Sequence, residues 1–164
     1  TANRGITMPD RNCVVPGSGA SSNFTPALAL TSGSVTYGSS CYGTMRANYL
    51  DGAAGAGGGL CTLMVRLELN GISSPVNTAM KITGLPYLRW GSHPVATIVP
   101  VMVHNGTVTG QVFAKISHYS SDDQYEVELF SVNNGVTAAL SAAAFLQATT
   151  TLQFSMVFDV QSMA

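Results

Sequence analysis

Charge is what this chain has least of. Lys, Arg, Asp and Glu make up 9% of its 164 residues, against about 25% in an average globular protein. Ser, Thr, Gly and Ala take their place. A monomer with so few charges has little to hold it apart from its neighbours, so much of the surface is expected to be buried between subunits. The net charge is −1. No basic field exists to hold phosphates, and no nucleic-acid partner is expected. No apolar run reaches the ~20 residues of a membrane-spanning helix, and residues 1–9 lack the apolar core of a signal peptide. Membrane insertion is not expected. Cysteine is limited to Cys13, Cys41 and Cys61. Their number is odd and their spacing fits neither a zinc site nor a redox motif. Reduced, buried thiols are the plain reading; a bridge from Cys13 to another chain is the sharper one. His93, His104 and His118 lack close ligand spacing, and no Gly-x-Ser-x-Gly elbow occurs. No metal, no cofactor and no catalytic residue is expected. Helix-prone sequence is confined to 138–146, with Ser141 as the N-cap of a single short turn.

What is present in quantity is alternation. Over 61–70, Leu63, Val65, Leu67 and Leu69 share one face, with Met64, Arg66, Glu68 and Asn70 on the other. That is the period of an antiparallel strand buried on one side. Residues 97–103 are β-branched but contain Pro100, which marks an edge or a bulge. Asn105-Gly106 follows and predicts a hairpin turn. Val112, Ala114 and Ile116 alternate next, then Tyr125, Val127 and Leu129 after a polar turn at 120–124. Asn133-Asn134-Gly135 turns the chain again. In the last strand Leu152, Phe154, Met156, Phe158 and Val160 share a face, and this strand is expected to be the longest and central. Residues 52–59 are Gly/Ala-rich and read as a flexible loop or a close backbone approach. Many short strands with Gly and Asn turns predict an all-β, antiparallel sandwich of jelly-roll type.

Two motifs give this pattern a likeness. Phe24-Thr25-Pro26-Ala27-Leu28 opens the strands. Met80-Lys81-Ile82-Thr83-Gly84-Leu85-Pro86-Tyr87 starts as a half-buried strand and is stopped by Gly84 and Pro86. Their order and spacing, across roughly residues 24–160, resemble the β-sandwich domain of tail fibres, tailspikes and head fibres of tailed bacteriophages. The resemblance implies a structural protein on the virion surface, usually a homotrimer. It leaves capsid, collar and tail open as the neighbouring virion protein.

Residues 1–23 read as an extended arm and 24–164 as the sandwich. The arm has Pro9, Pro16, Gly17 and Gly19 and no periodicity. Its apolar residues Ile6, Met8, Val14 and Val15 are candidates for anchoring to a neighbouring virion protein. Tyr87, Arg89, Trp90 and His93 lie close together around the only Trp. Aromatic faces stack on sugars, and Arg and His bond hydroxyls, so this segment is the candidate site for a host surface glycan. A Trp that plugs the sandwich end or the subunit interface is the plainer reading. Glu126 and Glu128 share a strand face beside Asp122 and Asp123. Paired carboxylates can hydrolyse glycosides, but a solvated strand face explains these better. The acidic group lacks the spacing of a calcium loop.

Overall fold

The alternating runs become antiparallel strands in two facing sheets. The computed structural model describes residues 20–49, 58–76, 79–85, 97–119 and 124–161. The strands are β1 (Ala20–Phe24), β2 (Ala27–Leu28), β3 (Ser32–Tyr37), β4 (Tyr42–Tyr49), β5 (Gly58–Val76), β6 (Met80–Thr83), β7 (Thr97–Pro100) and β8 (Met102–His104). After these come β9 (Gln111–Tyr119), β10 (Gln124–Asn133), β11 (Val136–Ala139), the short helix α1 (Ala142–Phe145) and β12 (Thr151–Gln161). Sheet I runs β1-β4-β5-β12-β8, with β3 also paired to β5. Sheet II runs β2-β6-β10-β9-β7, with β11 also paired to β10. The pairs β5–β12, β6–β10 and β7–β9 are nested in sequence, the winding of a long hairpin folded over itself. This is the expected all-β sandwich.

The core lies where the period-2 pattern puts it. Leu63, Val65, Leu67 and Leu69 of β5 are buried, as are Leu152, Phe154, Met156 and Phe158 of β12. Sheet II meets them with Met80, Ile82, Val112, Ala114, Ile116, Val127 and Leu129, all buried. Cys61 sits in this core, and burial pushes its thiol up to about 12. The thiol therefore stays protonated and unreactive. Cys41 is half-buried, and its sulfur donates to the Glu68 carbonyl at 3.0 Å and accepts from the Glu68 N–H at 3.1 Å. Both cysteines are free; Cys13 lies outside the described residues.

The chain changes sheet at two prolines. β1 ends in sheet I, Thr25-Pro26 crosses over, and β2 joins sheet II. β7 ends at Pro100 in sheet II, and β8 begins in sheet I two residues later. A residue without an N–H cannot continue a ladder, so the strand is free to leave it. At the first crossing the two sequence motifs touch. Ala27 and Leu28 pair with Thr83 and Ile82, and the Thr83 hydroxyl donates to the Ala27 carbonyl at 3.2 Å. Gly84 has φ +81°, and a Cβ there would stand 2.6 Å from the Thr25 carbonyl oxygen. Only glycine fits under this crossing. The Phe24 ring likewise covers Gly43, where a Cβ would collide with it.

Four expectations need correction. The longest strand is β5, not β12, although β12 does lie inside its sheet between β5 and β8. Gly58 and Gly59 of the supposed loop belong to β5, paired with Gln161 and Val160 of β12. Asn105-Gly106 does not close a hairpin between neighbours, because β8 pairs with β12 rather than β9. Instead this turn docks on the end of α1 and the segment that follows it. The buried Thr150 hydroxyl donates to the Asn105 carbonyl at 2.8 Å, and the Thr107 N–H donates to the Phe145 carbonyl at 2.9 Å. The single short helical turn lies where it was expected, at Ala142–Phe145 directly after Ser141, while Ala138 and Ala139 belong to β11. Ser141 flanks that helix without a side-chain cap, and its carbonyl accepts from Ala144 and Phe145. The sandwich also takes in residues 20–23, read above as arm, because β1 pairs with β4 from Ala20 onward.

Candidate functional site

The residues singled out in the sequence fall into two groups. Tyr87, Arg89, Trp90 and His93 lie outside the described residues, and so do Ile6, Met8, Val14 and Val15, together with Asp122 and Asp123. The others are placed by the sheets. Glu128 stands on the outer face of sheet II, opposite Lys81 on β6 and Lys115 on β9. Glu126 stands opposite Ser117. A carboxylate flanked by a lysine on each neighbouring strand forms a cross-strand charge row. The same face carries Phe113 and Phe130, stacked with centroids 5.7 Å apart. His104 is exposed at the end of β8, opposite Thr151. Among the described residues no group of three His, Cys, Asp or Glu side chains comes together.

The outer face of sheet I carries the feature that the sequence reading missed. Register lines up its outward residues across four strands. Tyr42, Arg66, Gln153 and Met102 form one row on β4, β5, β12 and β8. Glu68, Thr151 and His104 form the row on one side of it. Thr44, Met64 and Ser155, then Arg46, Thr62 and Val157, form the rows on the other side. Leu60 lies one row further, opposite Asp159. The Arg66 guanidinium donates to Gln153 Oε1 at 3.5 Å and to Glu68 Oε2 at 3.3 Å, and its Nε is buried without a hydrogen-bond partner. The ion pair is part-exposed, so its worth is below about 1 kcal/mol.

Shallow depressions mark the same face. One of about 400 Å³ lies among Tyr42, Met64, Pro100, Met102, Gln153 and Ser155. A second, also about 400 Å³, adjoins it at Met102 and includes Arg66, His104 and Thr151. A third of about 390 Å³ lies beyond Tyr42, against Phe24 and Gly43. The signal for this face was present in the sequence as Met64, an apolar residue on the outward side of an otherwise polar alternation. Tyr42 and Met102 could not be joined to it without the strand register.

No protein-family profile matches the sequence, and no curated protein sequence does. The fold is similar to that in the crystal structure of the Dettilon tailspike protein (gp208), with a TM-score of 0.62 at 18% identity. The match covers 87% of this chain and 24% of that one, so the chain spans about a quarter of the tailspike's length. At this identity the likeness is one of fold.

Proposed function

We propose that this chain is a structural β-sandwich on the surface of a tailed-phage virion, associated with the tail. It works as a homotrimer, residues 1–19 anchor it to a neighbouring virion protein, and it cleaves no polysaccharide. The carrying observation is that nearly the whole described sandwich follows part of a phage tailspike. The low charge content supports association, since an oligomer removes surface from water that a monomer would leave uncharged. A location on capsid or collar fits the sequence equally well; the tail is favoured by the tailspike fold.

The absence of cleavage is supported by the setting of the carboxylates. Glycoside hydrolysis needs one carboxyl that donates a proton and a second placed across the bond. Glu128 is instead built into a row with Lys81 and Lys115. Glu126→Gln and Glu128→Gln are therefore expected to change neither stability, beyond about 0.5 kcal/mol, nor the release of reducing ends from host polysaccharide, which should be at background in all three proteins. Release by the unaltered chain that disappears in either variant would establish a hydrolase. The alternative is a receptor-binding module in which Tyr87, Arg89, Trp90 and His93 take a surface glycan. It rests on residue types alone, and binding to one polymer on a glycan array, lost in Trp90→Ala, would favour it.

A further inference from the structure

We propose that copies of this chain pack against one another through the outer face of sheet I, while the outer face of sheet II stays in solvent. This rests on the homotrimer reading and names its surface. Of the eight large apolar side chains that stand exposed among the described residues, five lie on this one face: Tyr42, Leu60, Met64, Met102 and Val157. Met102 is 63% exposed and Val157 50%. Apolar side chains gathered on one face mark a surface that association removes from water.

Charge separates the two faces. On sheet I the central cation, Arg66, is already closed by Glu68 at 3.3 Å. No charged residue occurs between Glu128 and Asp159, so the outward side of β12 is uncharged from Thr151 to Val157. Arg46, exposed on β4 at the side of the face away from β8, lies at its rim, so covering the apolar centre buries no described cation besides the paired Arg66. On sheet II, Lys81, Glu128 and Lys115 occupy three adjoining strands. Covering that face would take all three out of water at a cost their pairing does not reliably repay.

Area and relief fit a second copy. Four strands at about 4.8 Å and five rows at about 6.6 Å give roughly 600 Å² of flat face. A stable interface takes about 800 Å² from each partner, so this face supplies its apolar centre and the flanking strands the rim. The projecting Met102 and Tyr42 border the depressions described above. The face thus offers both knobs and hollows of the same chemistry, as contacts between identical copies need.

Sedimentation equilibrium of the full chain at micromolar concentration tests this, with folding followed by circular dichroism. The unaltered chain should be a trimer. Met64→Lys and Val157→Lys should stay folded and associate at least ~100-fold more weakly, because each puts an unpaired charge into the contact. Ile98→Lys, an equally exposed apolar site at the edge of sheet II, should remain a trimer. As a check that needs no variant, peroxide should oxidise Met102 slowly in the trimer despite its exposure in the single chain. A trimer that survives both sheet I substitutions, or that oxidises Met102 at the rate of a free methionine, overturns the choice of face but leaves the trimer standing. Dissociation by Ile98→Lys overturns it in favour of sheet II. An unaltered chain that is monomeric removes the trimer reading itself.

Discussion

Removal of residues 1–19 is expected to abolish incorporation into virions while shifting the melting temperature of the isolated protein by no more than about 2 °C. The described core is drawn from Leu28 to Phe158 and closes between two sheets whose first strand starts at Ala20. Every described strand of that closure begins at Ala20 or later. Ile6, Met8, Val14 and Val15 have no common period to pack them on a strand or helix of their own. Such a segment gains order by binding elsewhere, at an entropic cost that lowers its affinity. Truncated protein supplied during assembly should therefore appear only in the unincorporated fraction. If it fails to fold, the segment belongs to the sandwich or to its subunit contacts. If it folds and still incorporates, attachment runs through the sandwich and the anchoring proposal is wrong.

Leu67→Ala and Leu152→Ala should each lower stability by about 2–5 kcal/mol. The two residues are register partners on β5 and β12, and both are fully buried. Against a total of about 5–15 kcal/mol, either loss is large, and the melting temperature should fall by about 10 °C. Because the side chains are neighbours, the double variant should depart from the sum of the single effects. Gln153→Ala, one position along on the outward face, should stay within about 0.5 kcal/mol. Chemical denaturation gives all four values. A cost below about 1 kcal/mol at Leu67 would mean that β5 and β12 do not pair over the core.

The buried faces of β5, β9, β10 and β12 were legible in the sequence, and the neighbours of these strands were not. Leu63 to Leu69 alternate so regularly that one buried side follows from period alone. The full length of β5 did not follow, because Gly58, Gly59 and residues 71–74 carry no apolar alternation; they are strand because β12, β4 and β3 pair with them. Pro100 correctly marked an edge strand. That the chain then enters the other sheet depends on β12, about fifty residues later in sequence. For the same reason Asn105-Gly106 looked like a hairpin: a short-range turn signal cannot report that its flanking strands have partners in different sheets. The two motifs were visible separately, and their contact, with Thr25 lying over Gly84, was not. The outer face of sheet I stayed hidden because its residues come from four strands. The candidate glycan and anchoring residues still rest on sequence.

The proposed place of this chain, on the surface of a tailed-phage virion, is tested by its position on the intact particle. Gold-labelled antibody raised against the isolated sandwich should decorate purified virions of the phage that encodes it, at the tail, in electron micrographs. Label confined to the capsid or collar would keep the surface role and move its place. Particles that carry no label, with the protein found only free in the lysate, would contradict the account.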